Sequence, residues 1–362
     1  MLPKFDWVQL GAMFVLVAFG LAAIYSVALS AESGDLQFFQ KQLVVFGIGV
    51  VLIVFMALSN YRLFRNWAFL LYLIGLLLLV GVLLFGTTVR GTTGWFRLFG
   101  FSFQPVEFMK LSLVFVLAKY FSEKARRQFG WRELFASGLL TIVPSVLVFA
   151  QPDFGSASIL VGIWVVFVFF AGIRLRHALF LSVLSAMSAL SAWFFFFADY
   201  QKERIMIFFD PARDPLGHGY NVLQAIIAIG SGKFFGRGLG FGSQSQLKFL
   251  PESQTDFIFA VIAEELGFIG VIFVLGAFVL LFLRLFHLMQ VSRDDYTSYL
   301  LIGFGAILFI QVVVNVGMNL GLLPVTGIAL PFVSYGGSSL LMSLAIVGLM
   351  QSIAVRSGSK VS

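Results

Sequence analysis

One carboxylate stands where a polar segment meets a long apolar run. Asp256 ends the sequence Leu250-Pro-Glu-Ser-Gln-Thr-Asp256, and the residues after it begin a strongly hydrophobic stretch. An ionisable group kept at a membrane boundary is costly and is a functional-site hypothesis by default. Thr255 and Asp256 also suit a helix N-cap, whose side chain accepts hydrogen bonds from free backbone N–H groups. On these residues alone, a functional carboxylate and a cap both stay open.

A second polar group precedes another apolar stretch. Glu107 and Lys110 are three residues apart, so on a helix they share a face and can form an ion pair. Arg90, Trp95 and Arg97 stand just upstream. Because Arg and Lys are natural ligands of a diphosphate, this cationic patch is a candidate phosphate site. The alternatives are an interfacial ion pair with a snorkelling lysine and, for Trp95, an aromatic belt at the membrane surface.

Two further acids follow within the apolar stretch after Asp256. Glu264 and Glu265 lie about two helical turns beyond it. Two adjacent acids inside a membrane span are costly to bury, so they indicate a structural or functional role. Structural partners and a polar cavity explain them equally well. Small residues at helical spacing let a neighbouring helix approach closely and turn the Asp256 face into the bundle. These small residues are Ala260, Ala263, Gly267 and Gly270.

Two more features accompany these groups near the end of the chain. Gln311, Asn315 and Asn319 form a polar stripe at helical spacing, for which interhelical hydrogen bonding is the preferred explanation. The segment Leu323–Ser339 contains two prolines and three glycines between two apolar runs. Irregular backbone at membrane depth needs protein or a watery cavity around it. We therefore predict a shaped loop beside a site.

The composition identifies the kind of protein that must position these residues. Of the 362 residues, 60% are hydrophobic and 11% are charged, and the mean hydropathy is +0.99, which is far outside the range of soluble proteins. The absence of cysteine excludes disulfides, thiolate nucleophiles and cysteine zinc sites. Gly230-Ser-Gly-Lys233 fails as a phosphate-binding loop, and the histidines lack metal-ligand spacing. A reaction would therefore be driven by the substrate itself or by a gradient.

The apolar runs predict the fold. A bilayer core takes about 20 apolar residues per helix, and no run alternates as a membrane β-strand would. We predict an all-α polytopic membrane protein with about ten transmembrane helices, forming a single domain over residues 1–362. The ten predicted spans are Trp7–Leu29, Leu43–Leu58, Trp67–Phe85, Glu107–Phe121, Leu134–Ala150, Ser156–Ile173, Ala178–Ala198, Phe257–Leu285, Ser298–Leu322 and Ser338–Val355.

The distribution of Lys and Arg orients this bundle. Placing both termini in the cytoplasm puts most of these residues in inner loops, as the positive-inside rule requires. The net charge of +7 is therefore mostly a topology signal, and it indicates no nucleic-acid partner. Asp256 then lies on the extracytoplasmic side, after a long loop over residues 199–254. Apolar pieces in that loop predict short interfacial or re-entrant helices.

Four blocks of the sequence resemble the SEDS family (shape, elongation, division, sporulation), bacterial membrane proteins that polymerise peptidoglycan. The resemblance covers essentially the whole chain, and its last two blocks are long and specific. The blocks are Gly94–Lys110, Gln151–Ser156, Leu250–Gly267 and Asn315–Ser339. Ile227-Ala-Ile-Gly-Ser-Gly and Ser243-Gln-Ser-Gln-Leu are more similar to the elongation member of the family than to the division member.

The chain departs from the family pattern at two positions. Gly94 stands where the family has an arginine, and Val106 stands where it has a serine. The role of the missing arginine would fall to Arg97 or Arg90. The positions of Glu107 and Lys110 are kept.

The resemblance implies an inverting glycosyltransferase that polymerises lipid II during cell elongation. The 4-hydroxyl of one disaccharide attacks the anomeric carbon of the lipid-linked chain, and undecaprenyl diphosphate leaves. Asp256 would be the general base or, alternatively, a ligand of Mg²⁺ or Mn²⁺, since carboxylates suit these cations. Lys110, oriented by Glu107, and Arg97 would offset charge developing on the diphosphate. The substrate-binding residues would be Lys110, Glu107, Arg97, Trp95, Gln104, Thr255 and Ser338.

The resemblance also implies a location and partners. The protein would lie in the bacterial inner (cytoplasmic) membrane with its active site on the extracytoplasmic side. Its partners would be a class B penicillin-binding protein, which is a bitopic transpeptidase, and other membrane proteins of the elongation complex. Two other classes of function stay open. A lipid II flippase would need a polar path through the bundle and no essential base, whereas a scaffold for a penicillin-binding protein would need only an apolar helix face.

Overall fold

The fold is known from a computed structural model, and its helices follow the apolar runs of the sequence. It describes residues 5–29, 36–89, 91–98, 101–124, 129–196, 199–210, 214, 217–247, 249–292 and 294–358, so Arg90 lies outside the described residues. The helices are α1 (Trp7–Leu29), α2 (Gln37–Leu58), α3 (Arg62–Phe85), α4 (Pro105–Lys124), α5 (Trp131–Phe149), α6 (Phe154–Phe170), α7 (Leu175–Ser191), α8 (Asp199–Phe209), α9 (His218–Ser231), α10 (Ser243–Gln246), α11 (Ile258–Val291), α12 (Asp295–Asn319) and α13 (Gly337–Gly358).

The predicted polytopic membrane fold is confirmed. A helix occupies each of the ten predicted spans, and α7 continues as one π-helical turn, Ala192–Phe196. Within the described ranges, eight helices are long and apolar enough to cross a membrane. The other two are α6, which has 17 residues, and α4, which carries Glu107 and Lys110 among several charges. α4 is nevertheless buried along most of its length, so it lies at the centre of the bundle.

The ends of the described chain meet on one side of the bundle. Asp6 N donates to Gln351 Oε1 over 2.9 Å, and Gln351 Nε2 donates back to Asp6 O over 3.0 Å. Arg284 Nε forms an ion pair with Asp6 Oδ2 at 2.7 Å, which ties α11 to the same place. Both termini therefore lie on the same side, as the charge distribution predicts.

One small sheet was not expected from the sequence. Strands β1 (Thr87–Val89), β2 (Thr92–Leu98) and β3 (Phe101–Phe103) pair antiparallel in the order β1-β2-β3, between α3 and α4. Strands of three to seven residues are too short to give a clear alternation of polar and apolar positions. The sheet is a small addition to the predicted all-α membrane fold, and it brings Trp95 and Arg97 to the end of the bundle where α4 begins.

The long loop contains the short helices that the sequence predicts, namely α8, α9 and α10. After α9 the chain turns back along α11, and residues 232–241 are called the re-entrant turn below. At the same level α11 is interrupted, because Gly267 has φ 67° and ψ −164°. The predicted helix Phe257–Leu285 is thus not continuous.

Four backbone hydrogen bonds join the re-entrant turn to the interruption in α11. In an unbroken helix, Phe268 N and Ile269 N would donate to the carbonyls four residues earlier, those of Glu264 and Glu265. Here both amides and both carbonyls bond to the turn instead, so these four backbone groups all have partners. The bonds are Phe268 N to Lys233 O (2.8 Å), Ile269 N to Phe234 O (3.2 Å), Arg237 N to Glu264 O (3.0 Å) and Gly238 N to Glu265 O (2.9 Å).

These exchanged hydrogen bonds predict that position 267 cannot accommodate a side chain. A Cβ there would overlap the backbone nitrogen of Gly236, and its positive φ disfavours any other residue. We expect Gly267→Ala to lower the free energy of unfolding by at least about 1–3 kcal/mol, the cost of a left-handed non-glycine residue alone. Thermal unfolding in detergent measures this. Gly276→Ala, on the same helix with open space around it, is the matched control and should be neutral or stabilising. Equal effects of the two substitutions would contradict the exchange.

Candidate active site

The backbone of Asp256 is held by the polar stripe of α12. Asn315 Nδ2 and Asn319 Nδ2 donate to Asp256 O over 3.0 and 2.9 Å. Asn319 Oδ1 accepts from Ala260 N over 3.2 Å and so satisfies a free amide in the first turn of α11. The predicted interhelical hydrogen bonds are confirmed for both asparagines, which are fully buried.

The two carbonyls before Asp256 are held by the loop that precedes α13. Ser334 Oγ donates to Thr255 O over 2.6 Å, and Tyr335 N donates to Gln254 O over 2.8 Å. Three consecutive peptide carbonyls are thus fixed by neighbouring elements. The chain entering α11 therefore has little freedom to move, and the Asp256 carboxylate projects from a rigid support.

The same loop runs beside the Asp256 side chain. Gly327 has φ 74°, and a Cβ at this position would lie 3.8 Å from Asp256 Oδ2. Asn315 Nδ2 also donates to Ile328 O over 2.8 Å, so one amide holds the loop and the Asp256 backbone together. The N-cap of α11 is Phe257, whose side chain makes no capping hydrogen bond. The predicted shaped loop does lie next to the carboxylate.

A cleft of about 670 Å³ opens beside the anchored segment. Its walls are the first turns of α2, the strands β2 and β3, residues 252–255 and the loop before α13. Three of the predicted substrate-binding residues line it, namely Trp95, Arg97 and Thr255. Asp256 follows directly after the lining residue Thr255, so the carboxylate and the cleft belong to one end of the bundle.

The cleft also contains groups that sequence reasoning missed. Lys41, Glu252 and Tyr335 line it together with Arg97. Burial raises the pKa of the Tyr335 phenol, and the neutral phenol can donate a hydrogen bond. The sequence does not connect Lys41 with the site, because nothing in its neighbourhood links the start of the second span to Asp256.

One glutamine fixes the α2 wall of this cleft. Gln42 Nε2 donates to Ser334 O over 3.1 Å, and Gly336 N donates to Gln42 Oε1 over 3.3 Å. The neighbouring Phe38 ring meets the Tyr335 ring edge to face at 5.0 Å. Lys41 therefore stands on a helix that is joined to the loop beside Asp256.

The predicted ion pair between Glu107 and Lys110 is present, but it is not interfacial. Lys110 Nζ lies 2.7 Å from Glu107 Oε1, and the lysine side chain is only 2% exposed. The alternative of a snorkelling lysine is therefore wrong, since α4 is enclosed by other helices. Neither residue is among those that line the cleft, so the pair lies apart from Trp95 and Arg97.

Two other predicted residues, Gln104 and Ser338, contact each other. Gln104 N donates to Ser338 Oγ over 3.0 Å, and Ser338 Oγ donates to Ser102 O over 3.1 Å. Gln104 Nε2 lies 3.5 Å from Asp153 Oδ2, and that carboxylate caps α6 by accepting from Ser156 N over 2.9 Å. These contacts tie the start of α4 to α13 and α6. The geometry gives both residues a framework role beside the cleft.

Glu264 and Glu265 have structural partners. Glu264 accepts from Gln244 N over 2.8 Å and from Ser245 N over 3.1 Å, at the start of α10. Glu265 Oε1 accepts from Ser26 Oγ over 2.6 Å, which ties α11 to α1. Of the two explanations left open by the sequence, structural partnering fits both acids. Within the described part of the chain, one oxygen, Glu265 Oε2, has no hydrogen-bond partner.

The fold and the site define a polytopic membrane protein with a rigidly held carboxylate beside a polar cleft. A family profile described as a cell cycle protein, covering FtsW, RodA and SpoVE, matches residues 6–358. The chain therefore belongs to the FtsW/RodA/SpoVE family, the SEDS family that its motifs resemble.

Curated relatives and solved structures agree with this assignment. The chain is 39% identical to stage V sporulation protein E of Bacillus subtilis, over 94% of each chain. It is 38% identical to the peptidoglycan glycosyltransferase MrdB of Escherichia coli, over 96% of this chain and 94% of the relative. The crystal structure of Thermus thermophilus RodA matches with a TM-score of 0.72 at 32% identity, over 98% and 97% of the two chains. A structure described as a peptidoglycan synthase complex that coordinates polymerization and crosslinking matches with a TM-score of 0.82 at 34% identity, over 98% of each chain.

The anchoring of Asp256 predicts a stability effect at Asn315. Asn315→Ala removes donors from two carbonyls, and leaving a buried polar group unsatisfied costs about 1–3 kcal/mol. We expect a lower temperature of thermal unfolding and faster hydrogen exchange at the start of α11. Asn66→Ala, at an exposed position on α3, is the control and should leave both unchanged. Wild-type stability of Asn315→Ala would show that these bonds do not hold the segment.

Proposed function

We infer that this chain is a peptidoglycan glycosyltransferase, and we propose that it joins lipid II units at the cleft beside Asp256. Membership of the family and 38% identity to a glycosyltransferase of this kind support the enzyme class. The observation that supports the place of the reaction is the fixed backbone of Asp256 next to a polar cleft. An acceptor hydroxyl must be held within hydrogen-bond reach of its base.

In the proposed mechanism Asp256 is the general base. The 4-hydroxyl of the acceptor sugar loses its proton to the Asp256 carboxylate as its oxygen bonds to the anomeric carbon of the lipid-linked donor. The bond between that carbon and the diphosphate oxygen breaks, and undecaprenyl diphosphate leaves with the bonding electrons. Attack from the face opposite the leaving group inverts the anomeric centre. General-base assistance of this kind is typically worth 10²–10⁴-fold in rate.

Cations at the cleft would stabilise the leaving diphosphate. Arg97 on β2 and Lys41 on α2 both line the cleft, and charge-assisted hydrogen bonds to phosphate are strong. Trp95 would pack against a sugar face. Lys110 would contribute from its buried ion pair with Glu107, and neither residue of that pair lines the cleft.

A divalent cation is compatible with this arrangement. In the described part of the chain, no three His, Asp or Glu side chains come together as a metal site. Mg²⁺ commonly binds through one or two carboxylates plus substrate phosphates. Asp256, with Glu252 in the neighbouring cleft wall, would hold such an ion only together with the diphosphate. The ion would supply positive charge to the leaving group.

The proposed setting is the outer face of the bacterial inner membrane. The Lys and Arg distribution puts Asp256 outside. Labelling of Leu247→Cys by a membrane-impermeant thiol reagent in intact cells checks this, with Ser122→Cys as the inner reference. Lipid II is the proposed substrate. A class B penicillin-binding protein is the proposed partner during elongation, since the matched complex couples polymerization to crosslinking.

The base assignment predicts the behaviour of Asp256→Asn. Purified protein in detergent, where no two sides exist, should polymerise labelled lipid II, and Asp256→Asn should lower the rate by about 10²-fold or more. The variant should still bind lipid II, because the amide keeps the size of the side chain. Asp295→Asn, at an exposed position in the first turn of α12, is the control. Near wild-type polymerisation by Asp256→Asn would exclude Asp256 as the general base.

A separate result would favour the flippase. In that case the protein would transport lipid II across liposomes and would make no polymer in detergent, even with a penicillin-binding protein added.

The cations predict two different kinetic signatures. Lys41→Ala and Arg97→Ala should weaken polymerisation at low lipid II concentration, because they remove charges from the cleft wall. Lys110→Ala should abolish activity and also destabilise the fold, since a buried partner left unpaired costs about 3–5 kcal/mol. The double variant Lys110→Met with Glu107→Gln should restore stability but not activity.

Lys119→Ala, near the other end of α4, is the matched control for these cations. Full activity of the double variant at saturating and subsaturating lipid II would remove Lys110 from the mechanism. Unchanged kinetics of Lys41→Ala would remove that lysine from the cleft site.

A further inference from the structure

The re-entrant turn carries charged and aromatic side chains that the reaction does not use. Lys233 and Arg237 are exposed, and neither side chain has a hydrogen bond or ion pair within the described residues. Phe234 is 67% exposed, Phe235 is 83% exposed and Phe241 is 77% exposed. None of these residues lines the cleft beside Asp256. Two cations and three aromatic rings thus stand together on an uncovered surface.

The depth of the turn follows from its bonds to α11. Its backbone pairs with residues 264–269 of that helix. Counting from Glu264 to Arg284, at the end of the bundle where the termini meet, gives about twenty residues, or roughly 30 Å of helix, the thickness of a bilayer core. The turn therefore lies at the membrane boundary on the Asp256 side.

At this depth the side chains meet lipid headgroups. Aromatic rings favour the boundary between hydrocarbon and water, and Lys and Arg near it reach toward phosphate. The acids closest to the turn, Glu264 and Glu265, accept hydrogen bonds from α10 and α1. Among the described residues, neither carboxylate forms an ion pair with Lys233 or Arg237, so the two cations keep their charge for an external anion.

The backbone conformation of Lys233 independently indicates a ligand site. It has φ 48°, in a segment whose other positive φ angles belong to Gly236, Gly238 and Gly240. A glycine at position 233 would adopt this conformation without strain. Residues held in disfavoured conformations cluster at ligand sites, where the side chain has a use that offsets the strain.

We propose that Lys233 and Arg237 bind the phosphate of an anionic phospholipid in the outer leaflet, with Phe234 and Phe235 inserted beside its acyl chains. The chemistry required of the ligand is a phosphate group at the membrane boundary, adjacent to hydrocarbon. A phospholipid fits better than the diphosphate of the substrate, because no residue of the turn lines the cleft. The bound lipid would hold the turn against α11.

Lys233→Gly tests the proposal without endangering the fold. It removes one charge and relieves the positive φ, so thermal stability in a neutral detergent should stay equal or rise. Native mass spectrometry of the purified protein, titrated with phosphatidylglycerol and separately with phosphatidylcholine, measures lipid binding. We expect Lys233→Gly and Arg237→Ala each to weaken the tightest phosphatidylglycerol adduct about fivefold, and phosphatidylcholine binding to stay unchanged.

Controls separate this site from other cations and from the substrate. Arg176→Ala, an exposed arginine at the start of α7, should leave the tightest adduct unchanged. Undecaprenyl diphosphate at equimolar concentration tests competition for the same site. If it displaces phosphatidylglycerol from the wild type, and Lys233→Gly no longer binds it, the ligand is the substrate diphosphate and the choice of phospholipid is overturned. Equal binding by wild type, Lys233→Gly and Arg237→Ala would overturn the site. None of these measurements depends on polymerisation, so their failure is distinct from a failure of the proposed enzyme activity.

Discussion

The three fixed carbonyls before α11 are the constraint on which the end of the bundle depends. Gln254, Thr255 and Asp256 leave the long loop and enter the helix, and each presents its carbonyl to a donor from α12 or from the loop before α13. A carboxylate on a flexible loop would sample many positions, whereas one on a fixed backbone keeps its geometry relative to the cleft. Preorganisation of this kind is what a general base requires.

Side-chain amides and hydroxyls provide most of this rigidity. In a membrane, the hydrophobic effect does not favour contacts between helices over contacts with lipid. Small and polar residues therefore determine which helices pack together. Asn315, Asn319 and Gln42 each bond to backbone groups on another element. Because such bonds are directional, they fix the register of α2, α11 and α12 more narrowly than leucine contacts would. Several of these hydrogen bonds are made to the irregular Leu323–Ser339 segment.

The helices could be predicted from the sequence because membrane-spanning helices must be long and apolar. Such long apolar runs are directly visible in the amino-acid sequence. It also predicted the Glu107–Lys110 pair and the α12 stripe, since both follow from helical spacing. Three things escaped it. The small sheet is too short to give a period, and the cleft residue Lys41 is distant in sequence from Asp256. The interruption at Gly267 was interpreted as helix packing, because a glycine that breaks a helix and one that packs in it look the same in sequence.

The exchange of hydrogen bonds at Gly267 makes two distant segments of the chain into one cooperative unit. Two amides of α11, those of Phe268 and Ile269, are bonded to the turn, and two amides of the turn, those of Arg237 and Gly238, are bonded to α11. Neither can open alone without leaving backbone groups of the other unpaired, which costs about 1–3 kcal/mol per buried group. The upper part of α11, with Asp256 at its beginning, therefore has the same local stability as the turn. A displacement of the turn by the surrounding bilayer would therefore act on α11 through these four bonds.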